Sequence, residues 1–220
     1  MPLNSVMLSI GILFASFLGG ILFYYVVDHN DKQHKKYELD QFLNVLIQFI
    51  LYLWLMKIIA QFSMVFQDPM SVLAHPANSM HFLFASIILL VHLWFKYRNN
   101  TSATINLFQT SSIIIIASLF IYEILQLLTQ PGADFNVMIV VLAALIVTNV
   151  LLYGKHNELI LSGSLIGVFL IVACGFAFFK GYYMFFGFML SPYYFLLLII
   201  LLAIYLYYMV YKNKLHESTT

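Results

Sequence analysis

Charge is scarce in this chain and nearly balanced. Of 220 residues only 9% are Asp, Glu, Lys or Arg, with ten Lys+Arg against nine Asp+Glu. A soluble domain carries about 25% charged residues, so a soluble globular protein is excluded. A net charge of +1 lacks the basic excess that grips a phosphate backbone, and no nucleic-acid partner is expected. Cys174 is the single cysteine, which rules out a disulfide framework and a multi-cysteine metal centre. A phosphate loop, an acidic metal motif, a redox Cys-x-x-Cys and paired intramembrane carboxylates are all missing from the sequence, so neither metal nor cofactor is expected.

Apolar residues fill the space that charge leaves: 63% of the chain is hydrophobic and its mean hydropathy is +0.93. A helix crosses the hydrocarbon core with about 20 mainly apolar residues. Seven runs approach that length, at about 3–27, 42–66, 80–95, 104–128, 135–153, 159–179 and 193–211. They are continuous rather than alternating, which favours helices over a transmembrane barrel. The expected fold is therefore all-α, a single seven-helix transmembrane domain over 1–220. The first run lacks a basic flank and is long for a secretory signal, so it is read as the first transmembrane helix. Asp28-His29-Asn30-Asp31-Lys32 ends it with charges that resist burial. Gln67-Asp68-Pro69, Pro76, Asn99-Asn100, Gln130-Pro131-Gly132, Gly154-Lys155-His156 and Ser191-Pro192 break the remainder.

With seven crossings, Lys32, Lys35, Lys36, Lys96, Arg98, Lys155, Lys212 and Lys214 fall on one side and Lys180 on the other. Basic residues stay cytoplasmic, so the N-terminus is placed outside and the C-terminus inside, in a multi-pass cell-membrane protein. Tyr182, Tyr183, Tyr193 and Tyr194 read as an aromatic belt at the outer interface. Gly19, Gly20, Gly163, Gly167, Cys174 and Gly175 read as small residues for close helix packing.

Ionisable and strongly polar groups inside a membrane are costly and mark candidate sites. Four stand out: Lys57 in the second run, His81 opening the third, Glu123 in the fourth and Asn149 in the fifth. His81 is the candidate base, Lys57 the candidate contact for a lipid headgroup, and Glu123 and Asn149 are supporting residues. Structural readings stand beside these. Lys57 can snorkel to the outer interface or pair with Glu123, Asn149 can bond across helices, and His92 lies near the interface beside Lys96.

The order of motifs adds a further reading. Asp40-Gln41-Phe42-Leu43 opens the second run and Lys57 follows it; Phe66-Gln67-Asp68-Pro69 and Leu73-Ala74-His75-Pro76 lead to Ser79-Met80-His81. The third run ends in Lys96-Tyr97-Arg98, and the sixth contains Gly163-Ser164-Leu165-Ile166-Gly167-Val168-Phe169-Leu170. In this order the chain resembles the prolipoprotein diacylglyceryl transferase family. Those bacterial plasma-membrane enzymes have seven spans and an outside N-terminus. They move the diacylglyceryl group of phosphatidylglycerol to a lipoprotein cysteine. The resemblance places Lys57 where the family has an arginine, and His81 in its Ser-Phe-His-Gly-Gly motif. The chain departs from the pattern at Phe82 and Leu83, which replace the two glycines, and at Ile10, which replaces a tyrosine. It reads Ile121-Tyr122-Glu123-Ile124 where Gly-Arg-x-Gly-Asn is expected, and has no arginine around Phe176–Phe179. Arg98, the one arginine, lies in an inside loop, so the bidentate forks that hold a lipid phosphate are missing.

The resemblance and its departures together imply a catalytically degenerate relative. Its expected partners are membrane lipids, phosphatidylglycerol among them, or a membrane or lipoprotein partner. Two alternatives remain open: an active lipid- or lipoprotein-modifying transferase that uses His81, and a small-solute transporter or the membrane subunit of one.

Overall fold

A computed structural model describes residues 3–62, 78–98, 100–129, 137–154 and 157–217. Within them the chain forms α1 (Leu3–Val27), α2 (Lys32–Ala60), α3 (Ser79–Tyr97), α4 (Thr101–Thr129), α5 (Val137–Leu152) and α6 (Glu158–Lys180). A hairpin, β1 (Tyr183–Phe185) and β2 (Phe188–Leu190), then leads to α7 (Pro192–Glu217). Residues 63–66 and 135–136 of the expected spans lie outside the described residues, as do the breaks at Gln67–Pro69, Pro76, Gln130–Gly132 and Lys155–His156. So do the segments Phe66–Pro69 and Leu73–Pro76.

Six helices, α1, α2, α3, α4, α6 and α7, are long and apolar enough to cross a membrane. The described part of α5 has 16 residues, about 24 Å at 1.5 Å per residue, which is shorter than a hydrocarbon core of about 30 Å. Helix α2 begins at Lys32, ten residues before the apolar run that marks it in the sequence. The polar stretch Lys32–Gln41 is rich in Lys, Gln and Glu, which are good helix formers, so the helix outlasts its apolar run. The all-α expectation also misses the hairpin. Its register pairs Tyr183 with Leu190 and Phe185 with Phe188, around Phe186 and Gly187 at φ 48° and 87°. Positive φ at both central residues is the turn that matches the twist of paired strands.

Local chemistry fixes several ends. Asn78 caps α3, and Asn157 caps α6 by accepting from the Leu159 N–H at 3.1 Å. Gly181, in the left-handed region at φ 84°, stops α6. The Lys35 ammonium donates to the carbonyls of Tyr25 (3.1 Å) and Asp28 at the C-terminus of α1, where a cation meets the negative end of the helix dipole.

Helices α4 and α6 form the centre, with half of their apolar windows buried, while α2 and α3 are peripheral. The main core gathers Leu119, Met138, Leu142, Ala173 and Phe195 from α4 to α7. Helix α1 packs closely along α4 because Gly19 and Gly20 present no side chain. A Cβ on Gly20 would lie 2.7 Å from the Ile114 carbonyl oxygen and 2.1 Å from Ser118 Oγ. Gly163 serves the same purpose against Leu206, whereas a Cβ on Gly175 would meet nothing within 4 Å among the described residues. Large apolar side chains such as Phe14, Leu22, Leu51, Ile200 and Ile204 face outward, as a lipid-facing surface requires.

The contacts sort the helix ends into two groups. At one end, Tyr24 of α1 meets Glu38 of α2 and Tyr97 of α3 donates to Gln41 at 2.9 Å. Tyr153, just beyond α5, reaches Asp28. Lys32, Lys35, Lys36, Lys96 and Arg98 share this charged end. At the other end, the hairpin meets the start of α3 and the later part of α4.

Candidate functional site

Three of the four sequence candidates lie toward the hairpin end. His81 is buried at the first turn of α3. Its backbone N–H donates to Asn78 Oδ1 at 3.0 Å, and its Nδ1 accepts from the Asn78 N–H at 3.1 Å. The two bonds make a reciprocal N-terminal cap, with histidine in the place usual for Glu or Gln. A neutral imidazole accepting at Nδ1 carries its hydrogen on Nε2. Its one free lone pair is then committed to the cap, and accepting a substrate proton there breaks the cap. Lys57, buried in the last turn of α2, lies within electrostatic range of His81. Its burial differs from the exposed ammonium that snorkelling to the interface implies.

Glu123 is buried in α4 and accepts from the Tyr183 hydroxyl at 3.2 Å. Burial, reinforced by the Glu123 charge, pushes the Tyr183 phenol well above its ordinary value. Tyr183 and Tyr194 are therefore interior residues, unlike the exposed Tyr182 and Tyr193, which corrects the reading of all four as one interfacial belt. Each buried phenol has a hydroxyl partner, Glu123 for Tyr183 and Ser86 (3.1 Å) for Tyr194. Phe82 packs on Phe188 (ring centroids 4.7 Å) and Phe185 (5.9 Å), while Tyr122 packs on Phe186 (5.4 Å). Phe82 is thus the anchor of an aromatic plug.

Asn149 lies elsewhere, on α5, where it lines a small cavity with Phe23, Ile113, Ile116 and Ile146. Its Oδ1 finds no protein donor among the described residues, so that atom makes no bond across helices.

A second polar assembly occupies the charged end. Asp28 and Glu38 are only 2% and 7% exposed. The Tyr24 hydroxyl sits between their carboxylates, 3.0 Å from Asp28 Oδ2 and 2.7 Å from Glu38 Oε2. Thr110 donates to Glu38 Oε2 at 2.9 Å, and His34 Nε2 is 2.8 Å from Glu38 Oε1. Tyr153 donates to Asp28 Oδ1 at 2.7 Å, joined there by the Asn30 N–H at 3.0 Å. Every carboxylate oxygen has a partner, as buried charge requires. One sequence reading is corrected here: Asp28 does not resist burial, because hydroxyl and amide donors replace its water.

Comparison with protein-family models, with curated proteins and with solved structures gave no match.

Sequence reasoning passed over Tyr24, Asp28, Glu38, Thr110 and Tyr153 because they flank the apolar runs or carry neutral hydroxyls. One signal was available: Tyr24 and Asp28, and His34 and Glu38, stand four apart, the spacing that stacks side chains on one helix face. Among the described residues no His, Cys, Asp and Glu cluster could hold a metal ion. The charged-end assembly is a hydrogen-bond network with the half-exposed His34 at its edge.

Proposed function

We propose that the chain is a noncatalytic seven-crossing membrane protein on a scaffold like that of prolipoprotein diacylglyceryl transferase. Its N-terminus lies outside and its C-terminus is cytoplasmic. It works with membrane lipids such as phosphatidylglycerol, or with a membrane or lipoprotein partner, in a bacterial plasma membrane. The alternating helix ends and the basic residues gathered at the charged end support this topology. The seventh crossing in this reading is α5.

The observation that carries the noncatalytic reading is the Asn78–His81 cap, since the ring that would serve as base is spent on a helix terminus. The test uses the full chain in nanodiscs with labelled phosphatidylglycerol and a lipobox peptide. No thiol-linked diacylglyceryl product is expected. Product formation that disappears in His81→Gln, with the fold retained, would overturn the reading.

Transport is the second reading, favoured by two buried carboxylates joined through Tyr24 and linked to the half-exposed His34. It requires flux in proteoliposomes, driven by a pH gradient and lost in Asp28→Asn and Glu38→Gln. Absence of flux across a panel of small solutes returns the argument to the first reading.

A further inference from the structure

The charged-end network continues inward as a spatial sequence. His34 meets Glu38, Glu38 shares Tyr24 with Asp28, and Asp28 accepts from Tyr153. Just deeper lies the cavity between α1, α4 and α5. Phe23 adjoins Tyr24, Ile113 lies three residues from Thr110, and Asn149 lies four residues from Tyr153. On a helix these are steps of one turn or less.

Four of the five lining residues are hydrocarbon or phenyl. Asn149 is the polar one, 5% exposed, with an Oδ1 that no protein donor satisfies among the described residues. A buried carbonyl oxygen is costly without a donor, and the space matches one water-sized molecule. Among the described residues no carboxylate lines the cavity. A single amide oxygen among apolar walls gives a cation no coordination shell.

We propose that this cavity binds one small O–H donor, hydrogen-bonded to Asn149 Oδ1, at the inner end of the polar path. The chemistry is a neutral hydroxyl, supplied by a water molecule or by the hydroxyl of a lipid lodged between α1, α4 and α5. The proposal does not depend on whether the protein is noncatalytic or a transporter.

The test is a nuclear magnetic resonance measurement on the full chain, labelled with nitrogen-15 asparagine and held in nanodiscs with deuterated acyl chains. The side-chain amide of Asn149 is assigned by its loss in Asn149→Leu. Asn149→Asp, which keeps an acceptor, provides the assignment if the leucine variant does not fold. Rotating-frame cross-peaks separate close contact from chemical exchange. One arm uses phosphatidylcholine, whose headgroup has no hydroxyl, and the other phosphatidylglycerol. A contact from the Asn149 amide to water in both arms is expected and identifies water as the guest. A contact to headgroup protons, present only with phosphatidylglycerol, identifies a lipid hydroxyl. Absence of any such contact in both arms shows a dry cavity and overturns the proposal.

Discussion

Substituting alanine at Gly20 tests the packing of α1 on α4 most directly. The new Cβ would lie 2.7 Å from the Ile114 carbonyl oxygen, 3.1 Å from the Ser118 nitrogen and 2.1 Å from Ser118 Oγ, where ordinary contact begins at 3.4 Å. Ser118 Oγ can rotate away, but the two backbone atoms are fixed in α4. The Ile114 contact alone demands 3.4 − 2.7, about 0.7 Å of separation between the helices. Overpacking of this kind costs about 1–3 kcal/mol. Alanine also favours the helix over glycine by about 1 kcal/mol, which masks part of that cost. Gly11→Ala on the same helix supplies the control, because a Cβ there meets nothing within 4 Å among the described residues. Gly20→Ala is expected to be about 1–3 kcal/mol less stable than Gly11→Ala, read by denaturant titration in detergent micelles. Adding Ser118→Ala should recover little, since it leaves both backbone contacts in place. Equal stability of the two alanine variants, within about 0.5 kcal/mol, refutes the close approach of α1 and α4.

Other expectations follow from the two helix-end assemblies. Tyr24→Phe removes the hydroxyl between Asp28 and Glu38 and should cost about 1–3 kcal/mol. Thr110→Val should cost less, because Glu38 keeps Tyr24 and His34; thermal unfolding of both variants checks the order. Asn78→Ala removes the side-chain half of the α3 cap and should lower stability by about 0.5–2 kcal/mol, whereas Asn78→Asp should retain most of it. The Tyr183 phenol titrates higher in the folded protein than in the unfolded chain. The unfolded chain therefore releases that proton first. The Tyr183 contribution to stability is whole below about pH 10 and falls as pH rises beyond it. Tyr183→Phe should reduce the alkaline loss, and an unchanged profile would show that Tyr183 contributes none of it.

The apolar runs revealed the helices well, because long continuous hydrophobicity has few other solutions in a membrane. They were poorer guides to what happens where a run stops. Lys32–Gln41 is polar yet helical, since propensity and the Lys35 contacts sustain helix where hydropathy has already fallen. Asp28 carries a charge that hydropathy places in water. Its burial depends on Tyr24 and Tyr153, and Tyr153 lies 125 residues away in sequence. Tyr183 and Tyr193 have the same side chain and similar flanks, but a hydroxyl partner in α4 draws the first inward while the second is 75% exposed. Lys57 and His81 were recognisable as unusual residues. What sequence did not expose was the detail that matters for chemistry, namely which atom of the His81 ring the α3 cap consumes.

The hairpin also bears on how the molecule is made. Its side chains meet Phe17 of α1, Phe82 of α3, Tyr122 of α4, Phe169 of α6 and Phe195 of α7. Those five partners leave the ribosome at widely separated times, and the hairpin itself follows four of them. The earlier segments must therefore wait in the bilayer without their common wedge. Docking of that wedge comes late in synthesis, and a chain interrupted before it would keep the α1–α4 packing and the charged-end bonds but lack the plug that joins the helices at the other end.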